Sequence, residues 1–257
     1  MKEINEDRLI KKVKEKKELA GLADSLVREI VVEYLKKHNI RIKGLGDKEV
    51  KIIVKEVRER LREFSGRFQK SRKDRFKLLE EGKIEALLRT HSSTAERIGF
   101  YPRLKEMISS LKVKSILDIG AGLNPIALAD KSIKYYAIDV KEDELELVSA
   151  FFRKNEIEGK VFVCDLRKEL QFPKAELCLL FKVLDIIDDK SYKFAKRIID
   201  NVKSEYILIS FATRTLSGRR MKHWRRKWLE RLLESKGYKY RLFNSDNEIF
   251  YFVERGY

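Results

Sequence analysis

The stretch Ser115-Ile116-Leu117-Asp118-Ile119-Gly120-Ala121-Gly122-Leu123-Asn124-Pro125 constrains the fold of this chain more than any other. Its short apolar, β-branched run reads as a buried parallel strand that carries Asp118 near its end and stops in a glycine turn. Gly120 and Gly122 let the backbone bend sharply and leave room for a ligand against the main chain. A second strand spans Lys134 to Ile138 and ends in Asp139. A glycine turn after one strand, with a carboxylate closing the next, is the layout of a nucleoside-binding α/β fold. The dinucleotide fingerprint G-x-G-x-x-G is broken, because Pro125 holds its third glycine position. That glycine permits tight strand–helix packing under a pyrophosphate. Its loss favours an adenosyl ligand without phosphates, S-adenosylmethionine rather than NAD.

The 257 residues suffice for one large domain or two smaller ones, and 43% hydrophobic content supports a substantial core. No run of about 18 apolar residues is present, so no membrane span is expected. Cys164 and Cys178 both lie in apolar strand-like runs. Their spacing does not suit zinc, no metal site is expected, and they read as core thiols of a reducing, cytoplasmic compartment. The formal charge of +17 implies a polyanionic partner.

Residues 1–90 read as an all-α domain. Leu26, Ile30 and Tyr34 repeat at helical spacing, and Val50, Val54, Val57, Leu61 and Phe64 form a second apolar stripe that Gly66 ends. A further helix is expected over residues 73–81 and a short one over 84–88. Met1 to Thr90 hold 26 Lys and Arg against 17 Asp and Glu. A solvated helix face is the bland account of that excess; the total charge favours a domain that docks on RNA. The segment His91-Ser-Ser-Thr-Ala-Glu-Arg97 starts a helix through Ser93 or Thr94. A helix start does not explain His91 or Arg97, and an arginine close to the glycine turn suits a ligand carboxylate.

From Ser115 strand and helix alternate, which implies a parallel sheet. Strands are expected over residues 115–119, 134–138, 160–164, 177–182 and 206–211, with helices over 124–131, 143–155, 190–202 and 221–236. Residues 238–243 and 249–254, split by Asn244-Ser245-Asp246-Asn247, read as a closing hairpin. The count suits a seven-stranded, Rossmann-like class I methyltransferase domain, here over residues 91–257. Asp118, Asp139, Asp165 and Lys182 fall at or near strand ends, where ligands of such sheets bind. Thr213 to Arg241 hold 11 basic residues against two acidic, with Trp224 and Trp228 interleaved. Arginines with aromatics suit RNA phosphates and stacked bases. The two tryptophans, four apart, share one face of the expected helix and have core as their bland account. Phe211 is placed either in the core or against an extruded target base.

Four motifs in order, His91-Ser-Ser-Thr-Ala-Glu-Arg97, Leu117-Asp-Ile-Gly-Ala-Gly-Leu-Asn-Pro-Ile-Ala-Leu128, Leu180-Phe-Lys-Val183 and Ser210-Phe-Ala-Thr-Arg-Thr-Leu-Ser-Gly-Arg219, resemble the aminoglycoside-resistance methyltransferases of small-subunit ribosomal RNA. That family methylates N7 of a guanine in the decoding site. The resemblance implies that Arg97 holds the methionine carboxylate of S-adenosylmethionine and that Gly120, Ala121 and Gly122 line it. It places Asp139 on the ribose hydroxyls, Val140 beside the adenine, Asp165 on the adenine amino group and Leu166 against the ring. Lys182 would sit near the methyl-transfer site. Arg214 and the Ser217-Gly218-Arg219 loop would meet RNA, and Arg220, Lys222, Arg225 and Arg226 extend that basic patch. The partner implied is small-subunit rRNA, approached by a monomer. Ala212 departs from the proline usual in the family.

Guanine N7 offers an in-plane lone pair and no proton, so its methylation requires no general base and no catalytic dyad. A ribose 2′-hydroxyl needs activation, for which Lys182 is the candidate. Other RNA acceptors, tRNA included, and a non-catalytic RNA-binding or ribosome-assembly factor on the same fold are the alternatives. The second of these binds RNA without cofactor.

Overall fold

The computed structural model describes residues 5–64, 74–167, 171–187, 192–215 and 218–256. The expected helix stop at Gly66, the first residues of the helices expected at 73 and 190, and Ser217 of the basic loop lie outside them.

The chain opens with α1 (Glu6–Lys14), α2 (Lys17–Ala20), α3 (Asp24–Lys37) and α4 (Asp47–Phe64). Leu9, Leu26, Ile30, Val50, Val57 and Leu61 bury the stripes of these helices against one another in a core of their own. Charged residues cover the other faces, as an amphipathic helix requires. The helices α5 (Arg75–Glu80), α6 (Ile84–Leu88), α7 (Ser92–Arg97) and α8 (Tyr101–Ser110) follow. Leu79, Leu87 and Leu88, on the helical side of the division expected at residue 90, pack in the same cluster as the sheet.

The remaining elements are β1 (Ser115–Ile119), α9 (Asn124–Leu128), β2 (Lys134–Asp139), α10 (Glu142–Lys154), β3 (Gly159–Val163), β4 (Leu177–Phe181), α11 (Leu184–Ile187), α12 (Lys193–Asn201), β5 (Tyr206–Ala212), α13 (Lys227–Ser235), β6 (Lys239–Asn244) and β7 (Glu248–Glu254). The sheet has seven strands in the order β3-β2-β1-β4-β5-β7-β6. β3 through β5 are parallel, and β7 runs antiparallel to both β5 and β6. The Rossmann-like arrangement and its closing hairpin are therefore as expected. β4 shows why a continuous apolar run makes an inner strand: Leu177, Leu179 and Phe181 face one layer, Cys178 and Leu180 the other.

Two expectations fail in detail. α7 has His91 at its N-cap and no side-chain cap, so neither Ser93 nor Thr94 starts it; the Thr94 hydroxyl donates to the Leu88 carbonyl instead. α13 begins at Lys227, so residues 221–226 are not helical and Trp224 shares no helix face with Trp228. The run Arg219-Arg220-Met221-Lys222 is instead tied back across a turn, by Thr215 N–H to the Arg219 carbonyl and Met221 N–H to the Thr213 carbonyl, each 2.8 Å.

The helical domain joins the sheet beside the β2 end. Ala23 N–H donates to the Val140 carbonyl (3.2 Å) and Glu142 N–H to the Gly21 carbonyl (2.9 Å). Val140 packs against the helical core.

Candidate active site

A cleft opens at the carboxyl ends of β1, β2 and β4, where the strand order reverses. Gly120 and Gly122 form its floor with φ of +70° and +48°, the left-handed region that a side chain disfavours. A Cβ at Gly120 would lie 2.8 Å from Val183 Cγ2, so glycine also permits the loop after β4 to close on the turn after β1.

The amides of that turn are already engaged. Gly120 and Ala121 N–H donate to the Ile138 carbonyl at 2.8 and 3.0 Å, and Gly122 N–H donates to Asp139 Oδ2 at 2.9 Å. A pyrophosphate site needs such amides free, so the turn does not suit a dinucleotide. Asp139 Oδ1 accepts from Val140 N–H (2.7 Å) and Lys141 N–H (3.1 Å). Three backbone donors thus fix the plane of the carboxylate, and part of its acceptor capacity remains for ligand hydroxyls. Burial pushes the Asp139 carboxyl up to about 6, and the charge of Glu144 adds to the rise.

Val140, Leu166, Val183 and Ile186 give the cleft apolar walls. Asp165 lines it with its carboxylate gripped by Arg167, at 2.5 Å from Nη2 and 2.9 Å from Nε. A fixed carboxylate, apolar walls and engaged amides fit an adenosyl group that brings vicinal hydroxyls and a flat purine.

Beside Gly122 lies a cluster that the helix-start reading of residues 91–97 did not reveal. Glu144 is buried between Arg75 (3.1 Å), Lys141 (3.7 Å) and His91 (3.8 Å). Burial alone would raise its carboxyl, but these neighbours outweigh it and hold the group near about 2. Burial takes the His91 imidazole down to about 4, so it is neutral at neutral pH. His91 lines the cleft. Asp118, fully buried, accepts from the Tyr135 hydroxyl at 2.8 Å, and burial pushes it up to about 8.

The expected ligand arginine is placed differently. Arg97 is buried, is not among the residues lining the cleft, and has its guanidinium on Glu248 (2.9 Å), Asn124 (2.7 Å) and Ser93 (3.2 Å). Phe181 lies under it at 4.7 Å. Glu248, which sequence reasoning missed, also pairs with Lys182 at 3.3 Å. Lys182 lines the cleft with φ of +57°, and its ammonium bonds Glu96 at 2.6 Å. The one signal for Glu248 was a carboxylate opening the otherwise apolar run Ile249-Phe-Tyr-Phe-Val253.

The basic patch divides. Arg214, Arg219, Arg220 and Lys222 are exposed. Arg225 is also exposed but bonds Glu230 through two donors at 2.7 and 2.9 Å. Arg226 does not belong to the exposed patch: it is buried, with its guanidinium on Asp185 (2.5 Å) and the Trp224 carbonyl (2.9 Å). Phe211 takes the core alternative. It is fully buried, edge-on to Trp228 and Tyr251, with the Arg226 guanidinium 4.9 Å over its ring, so no base reaches it.

Comparison with known proteins agrees with this fold. The chain is 28% identical over 210 residues to a 16S rRNA (guanine(1405)-N(7))-methyltransferase of Serratia marcescens, covering 79% of each. Its fold superposes on the 16S rRNA methyltransferase RmtF in complex with S-adenosyl-L-homocysteine, with a TM-score of 0.81, 25% identity and 98% of each chain covered. The 16S rRNA methylase RmtB shares the fold at a TM-score of 0.78 and 21% identity, over 98% of this chain and 99% of that one. Residues 78–252 match the ribosomal RNA methyltransferase family FmrO, and the chain belongs to that family.

Proposed function

We propose that this protein methylates N7 of a guanine in small-subunit rRNA near the decoding site, using S-adenosylmethionine. The observation that carries the choice of atom is the setting of Lys182. A ribose 2′-hydroxyl reading needs that residue as an activator; it is held instead in ion pairs with Glu96 and Glu248. Guanine N7 needs no activator, only orientation and stabilisation of charge passing to the purine.

S-adenosylmethionine supplies an electrophilic methyl group. Asp139 takes the ribose hydroxyls, and its three backbone donors hold it in place beforehand. Val140 and Leu166 flank the adenine, and Asp165, oriented by Arg167, accepts from its amino group. Gly120, Ala121 and Gly122 allow close approach to the main chain. Arg97 acts from behind: burial works against its charge, Glu248 outweighs that, and the cation held under the cleft favours a ligand carboxylate nearby. Arg214, Arg219, Arg220, Lys222 and Arg225 meet RNA phosphates. The relatives' substrate and the total charge support this assignment. The working form is a cytoplasmic monomer whose helical domain docks on the subunit.

The test is transfer of labelled methyl to isolated small subunits, large subunits and bulk tRNA, followed by nucleoside analysis. The expected product is 7-methylguanosine from the small subunit. A 2′-O-methyl nucleoside or a tRNA product would overturn the acceptor.

A further inference from the structure

Both tryptophans of the chain line one open groove beside the cleft. The wall between the two spaces is the single turn α11: Ile186 lines the cleft and Asp185 the groove. Arg226 clamps that wall to the groove floor through Asp185 and the Trp224 carbonyl. Trp224 stands 40% exposed. Tyr192, also 40% exposed, lies flat on Trp228 with ring centroids 4.5 Å apart and planes within 10°. Tyr192 holds φ at +56°, a conformation that costs a non-glycine residue energy. Lys222, Lys227 and Arg231 line the same groove.

Exposed aromatic faces among lysines and arginines match the chemistry of an unpaired nucleotide, its base on a ring and its phosphate on a cation. A paired duplex buries its base faces in its own stack and leaves such rings unused. The acceptor base must reach the cleft mouth at Lys182 and Val183, on the far side of α11. We propose that the groove holds a second unpaired nucleotide of the RNA, next to the acceptor, stacked on Trp224, whose ring is exposed where Trp228 is already covered by Tyr192. This rests on the rRNA reading above and adds to it a structural requirement on the substrate: unpaired sequence adjoining the modified base.

Because Trp224 and Trp228 are the chain's only tryptophans, emission from the full-length protein reports the groove directly. Titration with an unpaired oligoribonucleotide should quench it saturably, and a fully paired duplex of equal charge should not. Trp224→Ala should weaken binding of the unpaired strand by roughly ten- to a hundredfold, with S-adenosylmethionine affinity by calorimetry unchanged as the check on folding. Trp224→Phe should restore most of the binding. Equal quenching by duplex, or unpaired-strand affinity unchanged in Trp224→Ala, would overturn the proposal. The methylation reading fails separately: wild-type protein that shows the quenching and its loss in Trp224→Ala, yet transfers no methyl to rRNA, contradicts that reading and leaves the groove standing.

Discussion

The cleft and the groove lie on two sides of one helical turn, yet they differ in how many of their charges are left to solvent. In the cleft and just behind it, the charged groups have fixed partners: Asp139 its backbone amides, Asp165 its Arg167, Glu144 its Arg75, Lys182 its two glutamates. In the groove, Arg226 and Arg225 are fixed on Asp185 and Glu230, but Lys222 and Arg231 form no ion pair with a described residue, and Lys227 is 68% exposed even while it reaches Glu230. A small ligand with fixed geometry is recognised by groups that pay their ordering cost in folding. A polyanion is recognised through released counterions, which long solvated cations serve without fixed geometry. The difference predicts that mutations in the cleft act on stability and cofactor affinity, and mutations in the groove act on RNA affinity and its salt dependence.

The sharpest contrast is between Glu248 and Lys222. Glu248→Ala leaves Arg97 charged and buried without its partner, and should cost about 3–5 kcal/mol of stability in urea unfolding. Lys222→Glu should change stability by less than about 0.5 kcal/mol. Similar values for the two would break the comparison.

Asp139→Asn removes an acceptor but keeps the shape, and should weaken S-adenosylmethionine binding by roughly ten- to a hundredfold, with RNA affinity unaltered.

Acid should act on the same residue. Burial holds Asp139 at about 6, and the proposed role on the ribose hydroxyls requires the ionised form, which only accepts. Cofactor affinity measured by calorimetry should therefore fall as pH drops through about 6, by up to about tenfold per unit below it. Stability should move the other way at Asp118, whose pKa is raised from 3.8 to about 8. The folded state binds the proton more tightly than the unfolded one. Its contribution is thus fully present below about 4 and lost as pH rises through about 8. Asp118→Asn should flatten that slope and be relatively more stable at alkaline pH.

The smallest effect is expected in the groove. Reversing Lys222 and Arg231 together should reduce the salt slope of RNA binding by about two and leave cofactor affinity alone.

How much of this was legible in the sequence follows from how local each signal is. Strands announce themselves through runs such as Leu177–Phe181, and the glycine turn with Asp139 needs only positions adjoining two strands, so the sheet and the cleft floor could be read directly. Arg97 could be marked as functional because a helix start leaves it unexplained. Its partner Glu248 lies 151 positions away and meets it only when the antiparallel strand β7 closes beside β5. Spacing carries no information of that kind. Phe211 stayed open between two placements and Arg226 misled because exposure is not written in residue type: an aromatic at a strand end and an arginine in a basic run each became core once Trp228, Tyr251 and Asp185 packed around them. The helix expected from Met221 failed because the run Arg219–Lys222 is committed to a backbone turn.

The most direct measurement uses the chemistry of the product itself. Small-subunit rRNA treated with the enzyme and S-adenosylmethionine is reduced with borohydride and cleaved with aniline, which breaks the chain only where a guanine carries an N7 methyl, and primer extension locates the break. A single new break in the decoding region, dependent on the cofactor and lost in Asp139→Asn, is the predicted result. Methyl label incorporated into the RNA with no such break would contradict transfer to guanine N7.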